Sequence, residues 1–137
     1  MAVISELIRV ESDGTISFGD YSLSKKSKVE DFKHEGDLLK VKTFQEITKL
    51  ERNGMFVYES VPGTTVDHLN ITEDQVVFSV EGLEDAQITL ELEPETEYDI
   101  TVNQVSAGTM KTNLGGKLSL SVELEAGSLV PVKVVKA

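Results

Sequence analysis

The chain has no cysteine, no tryptophan, only two histidines and only three prolines in 137 residues. Without cysteine there are no disulfides, no thiolate metal sites and no thiol nucleophile. No run approaches the roughly 18 apolar residues that a membrane-spanning helix needs, so no membrane partner is expected. The opening Met1–Glu6 has no basic residue, and Ser5 and Glu6 break its apolar stretch. It does not read as a secretory signal, and a cytoplasmic location is the expectation. Basic residues are also missing from a long stretch. Between Asn53 and Met110 there is no Lys or Arg against twelve Asp or Glu, within a formal net charge of -11. Such a segment repels nucleic acid, which is excluded as a partner. Its simplest use is a solvated sheet surface that keeps the protein soluble.

What is present is a period of two, the mark of half-buried strands. In Lys117–Leu124 every even position is apolar and every odd one polar or charged. Gln87–Leu92 and Val130–Val134 repeat the pattern. Further runs are Val3–Val10, Thr15–Phe18, Val29–Lys33, Leu38–Thr43, Met55–Val61, Thr65–Ile71 and Gln75–Val80. Turn pairs separate them, among them Asp13-Gly14, Gly36-Asp37, Asn53-Gly54, Pro62-Gly63 and Gly115-Gly116. About twelve short strands with frequent turns predict one all-β domain over residues 1–137, an antiparallel two-sheet β-sandwich. Both a jelly-roll and an immunoglobulin-like order fit, as does an N-terminal layer packed on a smaller C-terminal sandwich. One sheet is expected to hold Ile88–Leu92, Tyr98–Val102, Ala107–Thr112, Leu118–Leu124 and Val130–Val135. The three strands from Asp99 to Leu124 are expected to run as a meander. The predicted core includes Ile88, Leu90, Leu92, Tyr98, Ile100, Leu118, Leu120 and Val122.

Residues 43–53 read two ways. Thr43 to Glu46 fits a helix capping box, with Phe44, Ile47 and Leu50 on one helical face. Alternatively Asn53-Gly54 is a two-residue hairpin turn that pairs Thr48–Arg52 with Met55–Glu59 and sets Leu50 opposite Val57. The strand-like character of Met55–Tyr58 favours the hairpin.

The run Leu92-x-Pro94-x-Thr96-x-Tyr98-x-Ile100-x-Val102 places a tyrosine at a strand start, just after a proline bend. In a tyrosine corner the ring packs in the core while its hydroxyl bonds backbone a few residues upstream. Leu92, Pro94, Tyr98 and Ile100 are therefore the candidate structural residues of a sandwich corner. This eleven-residue stretch resembles the signature of fibronectin type III modules. Over more of its length the chain resembles small proteins of anaerobic Gram-positive bacteria that sometimes carry the label endosialidase. The stretches that carry this likeness are Ala2–Arg9, Lys49–Gly54, Val57–Gly63 and Lys111–Asn113. The label implies glycan binding or hydrolysis. Sialidase-like sites clamp the sugar carboxylate with three arginines, whose bidentate grip lysine does not reproduce. Arg9 and Arg52 are the only two here. Ser12–Phe18 loosely resembles the Asp-box turn of sialidases, and an Asp-Gly hairpin explains it.

Other chemistry is thin. Ser60, Asp67 and His68 contain the residue types of a triad, but no nucleophile elbow is present and neighbouring strand residues face opposite ways. Two histidines make a metal site unpromising, and no cofactor loop is present. The acidic turns Ile71–Asp74 and Glu81–Asp85 are rich in oxygen donors but lack calcium-loop spacing. No catalytic, cofactor-binding or metal-binding residue is assigned. The expectation is a non-catalytic structural or interaction protein that forms a homo-oligomer, because many strands leave edges to cover. Val130–Val135 is a candidate symmetric contact. The rival is a carbohydrate-binding or glycan-processing protein.

Overall fold

The computed structural model describes residues 3–137, so the part of the leader argument that rests on Met1 and Ala2 lies outside it. Thirteen strands form two antiparallel sheets, with no helix among the described residues. They are β1 (Ile8–Val10), β2 (Ile16–Phe18), β3 (Ser27–His34), β4 (Asp37–Phe44), β5 (Ile47–Arg52), β6 (Met55–Val61), β7 (Thr65–Ile71), β8 (Gln75–Glu81), β9 (Ala86–Glu91), β10 (Glu97–Val102), β11 (Val105–Lys111), β12 (Lys117–Val122) and β13 (Val130–Lys136). The seven-stranded sheet runs β1-β2-β7-β8-β13-β10-β11 and the six-stranded sheet β12-β9-β6-β5-β4-β3.

The alternation seen in the sequence becomes the inward face of each sheet. β12 buries Leu118, Leu120 and Val122 and exposes the residues between them. One cluster joins these to Ile88, Leu90, Tyr98, Ile100 and the inward residues of β2, β4, β7, β8 and β13. Leu92 packs at its margin, half-buried rather than buried. At the centre Tyr58 of β6 stands between Phe18 of β2 and Phe78 of β8. Its ring meets theirs edge-to-face at 5.4 and 5.7 Å, so three aromatic residues tie the two sheets together.

Beside this ladder lies a buried hydroxyl cluster. Thr48 Oγ1 donates to the Thr64 carbonyl at 2.8 Å and accepts the Thr64 N–H at 3.0 Å. Thr64 Oγ1 contacts both the Tyr58 hydroxyl and Ser60 Oγ. No buried side-chain polar atom lacks a partner among the described residues, as a dry core requires.

Several expectations are corrected. The five C-terminal strands do not share a sheet: β10, β11 and β13 belong to one, β9 and β12 to the other. The meander stops at β11, because residues 112–116 carry the chain across the layers. Gly116 makes that crossing: its φ is +81°, and a Cβ there would lie 2.2 Å from the Leu92 carbonyl oxygen, to which no side chain can be fitted. Strand alternation marks a buried face without saying which sheet owns it. Residues 43–53 contain no helix and contribute two hairpins, β4–β5 and β5–β6. Leu50 faces Tyr58, not Val57, because a bulge shifts the β5–β6 register between Leu50 and Glu51. The run Val3–Val10 is a strand only over Ile8–Val10, since Leu7 has a φ of 72° and its N–H closes a turn on the Ile4 carbonyl. In Val130–Val135 the apolar Val130, Val132 and Val134 face the core, and β13 is paired on both sides, with β8 and with β10.

Candidate functional site

The corner residues sit where the chain passes between sheets. Tyr98 is buried, and its hydroxyl accepts the Glu93 N–H at 3.2 Å, five residues upstream. Thr112 Oγ1 donates to the Glu93 carbonyl at 2.5 Å and accepts the Thr96 N–H at 2.9 Å. Thr96 Oγ1 bonds the Pro94 carbonyl at 2.9 Å, and Leu92 N–H bonds the Gly116 carbonyl at 2.7 Å. Ile100 is buried two residues after Tyr98. These four residues therefore brace a loop crossing and present no reactive group. Replacing Tyr98 with Phe leaves the ring and frees the Glu93 N–H. The expected loss is about 1 kcal/mol in a denaturant titration.

A cleft of about 560 Å³ opens beside the corner, lined by Arg52, Met55, Phe56, Glu73, Pro94 and Tyr98 among others. A smaller one of about 180 Å³ lies on the other side of Arg52 and Val57, reaching Asp13 and His34. Phe56, which lines the larger cleft with the buried Tyr58 and Tyr98, is not a free stacking surface. Lys117 Nζ sits 4.8 Å and Lys49 Nζ 5.9 Å from the Phe56 ring centre. Nor do the two arginines converge. Arg52 ends β5, while Arg9 lies on β1 of the other sheet, its Nε 3.0 Å from Glu11.

A cluster of titratable groups lies on the outer side of the seven-stranded sheet, and sequence reasoning found only part of it. Ser17, wholly buried, donates from Oγ to Glu11 at 2.5 Å, lies 3.1 Å from Asp67, and accepts the His68 N–H at 3.0 Å. Asp67 holds the His68 ring at 2.9 Å. A bulge in β7 between Asp67 and Asn70 makes this possible, since it lets two successive residues face the same partner. Ser60 is elsewhere, buried in the six-stranded sheet against Thr64, so Ser60, Asp67 and His68 form no triad. Ser17 is no substitute, because the imidazole bonds Asp67 and not the hydroxyl. Glu11, Asp67 and His68 do offer three ligand atoms within 4.8 Å of one another. Glu11 Oε2 is already held by Arg9 and Ser17, so an incoming cation would share this carboxylate with a guanidinium.

The electrostatics follow. The Ser17 hydrogen bond first, then Arg9, hold the Glu11 carboxyl below its ordinary range. The hydrogen bond to Asp67 holds the His68 imidazolium above its ordinary value of 6.5. A group whose folded pKa is raised stabilises fully below its unfolded pKa, and that stabilisation is lost as pH rises through the folded value. His68 is half exposed, so the contribution is small. The expected result is an NMR titration of His68 centred above 6.5, which Asp67→Asn moves back toward 6.5.

The acidic turn Glu81–Asp85 is tied into the fold. Glu81 is buried and receives the Tyr21 hydroxyl, and Asp85 Oδ1 accepts the Leu124 N–H at 3.1 Å. Both are engaged, not poised around an ion.

The sheet edges differ sharply. β1 has three residues. β3 carries Lys28, Glu30, Asp31 and Lys33 and bulges between Val29 and Phe32, with Asp31 at a φ of 56°. β11 is exposed throughout but bulges at its middle, where Gly108 has a φ of +89° and its N–H turns back to Ser106 Oγ. Short length, charge and bulges are the ordinary protections of an edge. β12 has none of these: it pairs with β9 over six consecutive residues without a shift, and its only charge is Lys117 at one end. It lies on the same flank as β11, joined to it by five residues. That flank also exposes Val105, Met110 and Leu114, the last at 81%. Comparison of the chain with protein-family models, with curated proteins and with solved structures finds no match.

Proposed function

We propose that the chain is a non-catalytic structural or interaction protein that self-assembles, and that its working surface is the β11–β12 flank. The observation that carries this reading is the contrast among the four edges, of which β12 alone lacks a device against pairing. The exposed apolar residues Val105, Met110 and Leu114 lie on the same flank. The corner and the hydroxyl cluster leave no buried side-chain polar atom without a partner among the described residues, which fits a scaffold better than a reactive centre. Light scattering or mass photometry tests the reading: a homo-oligomer at micromolar concentration is expected, and a monomer there would remove it.

The second reading is a carbohydrate-binding or glycan-processing protein, as the resemblance implies. The 560 Å³ cleft favours it, since that volume falls within the usual range of small-ligand sites and Glu73, Glu91 and Glu93 line it with Arg52. It predicts two carboxylates about 5–10 Å apart beside a bound sugar. Silence on a glycan array and in a polysialic acid hydrolysis assay would discard it.

A further inference from the structure

We infer that β12 pairs antiparallel with β12 of a second copy, about a two-fold axis at Leu120, joining two six-stranded sheets into one of twelve. The inference rests on the self-assembly reading and specifies its partner and register.

The backbone comes first. In an antiparallel ladder alternate residues aim both N–H and C=O at the same neighbour. The Gly116 carbonyl accepts from Leu92, on the β9 side. Lys117 turns the other way, bonding Asn113 through its carbonyl and, by its N–H, Asn113 Oδ1. Leu118, Leu120 and Val122 therefore serve the β9 ladder, and Ser119 and Ser121 aim their amides and carbonyls outward. No backbone hydrogen bond outside the strands reaches either serine among the described residues. Their side chains are already occupied on their own sheet, Ser119 with Thr89 at 2.9 Å and Ser121 with Gln87 at 2.9 Å. The unmet groups are main-chain groups, and another strand is what satisfies them.

The side chains then select the strand. Residues opposite each other must lie on the same face of the sheet, so only registers that match even with even positions keep Leu118, Leu120 and Val122 inward. With Leu120 opposite its own copy, Leu118 faces Val122, Ser119 faces Ser121, and Lys117 faces Glu123. The order Lys-Leu-Ser-Leu-Ser-Val-Glu over residues 117–123 thus matches itself when reversed: apolar on apolar, serine on serine, cation on anion. The two serines become mutually hydrogen-bonded pairs, using the four outward groups on each chain. Glu123 is exposed and has no cationic partner among the described residues. In a chain of net charge -11, this edge brings two copies together without setting like charges opposite each other. A shift of the axis to Ser119 would face Lys117 with Ser121 and leave Glu123 unmatched. Charge complementarity therefore favours the Leu120 axis, and a closed two-fold contact of this kind ends at the dimer.

The test is sedimentation equilibrium on the full chain and three variants. Ser121→Pro removes an outward donor without touching the β9 ladder, and proline is tolerated at such an edge position. It is expected to leave the fold and make the protein monomeric. Lys117→Glu and Glu123→Lys each set two like-charge pairs across the axis and are expected to weaken dimerisation by about tenfold or more. The double exchange Lys117→Glu with Glu123→Lys is expected to restore it. A wild-type monomer would overturn self-assembly itself. A wild-type dimer that survives Ser121→Pro, or that the double exchange fails to rescue, would overturn this register while self-assembly stands. Circular dichroism of each variant separates lost pairing from lost folding.

Discussion

Tyr58→Ala is expected to destabilise the protein by about 4 kcal/mol, the loss typical of a large aromatic deleted from a packed core. Three contributions act together. The ring is wholly buried between Phe18 and Phe78, so its removal leaves a cavity that two sheets cannot collapse to fill. Both edge-to-face contacts disappear. The hydroxyl also leaves Thr64 Oγ1, which keeps its contact with Ser60 Oγ. Against a usual total of about 5–15 kcal/mol, such a loss takes a large share of the stability. In thermal unfolding the midpoint is expected to fall by about 15 °C. Tyr58→Phe separates the terms, since the rings stay and only the hydroxyl goes; about 1 kcal/mol is expected. Equal losses for the two variants would mean that the hydroxyl cluster, not the ring stack, holds the sheets.

Alkaline unfolding is the second large effect. Burial raises the pKa of both Tyr21 and Tyr58 well above the ordinary value of 10.0, and for Tyr21 the hydrogen bond to Glu81 raises it further. Above about pH 10 the unfolded chain sheds these protons while the native protein keeps them. The native state then binds more protons, so stability falls as pH rises. Each tyrosine contributes about 1.4 kcal/mol per pH unit in that window, and the pair about 2.7. The expected result is cooperative unfolding at least about two pH units above 10, where a slope of about 2.7 kcal/mol per unit has consumed a stability of about 5 kcal/mol, with tyrosinate absorbance and loss of β-structure appearing together. Gradual tyrosinate formation in the folded protein would contradict it. Tyr21→Phe is expected to halve the slope. At neutral pH it costs about 2–3 kcal/mol, because the buried Glu81 carboxylate loses its donor.

The strands were largely legible and their grouping was not. A run such as Lys117–Leu124 displays its buried face through the residues themselves, and Leu118, Leu120 and Val122 are buried. Whether that face belongs to one sheet or the other depends on a five-residue link and on Gly116, whose role is visible only against the Leu92 carbonyl. The same limit applies to Leu50. The Asn53-Gly54 turn was readable, but the bulge that brings Tyr58 opposite Leu50 leaves no mark in the turn residues. Asp67 and His68 were visible as neighbours, whereas Ser17 and Glu11 join them only because β2 pairs with β7. Nothing in the spacing of residues 11, 17 and 67 announces that meeting. The protections of β3 could be read as charges. Their absence on β12 mattered only once the topology made β12 an edge.

The position of β13 bears on how the chain is made. This strand alone joins β8 to β10, so until it emerges the seven-stranded sheet is two unconnected pieces, one of four strands and one hairpin. Residues 130–136 follow the other twelve described strands in sequence, and contacts of such long sequence separation form slowly. A ribosome-bound chain that stops short of them would hold two bare strand edges facing each other. Closure of the seven-stranded sheet is therefore expected to wait on β13, which acts as the keystone of the layer.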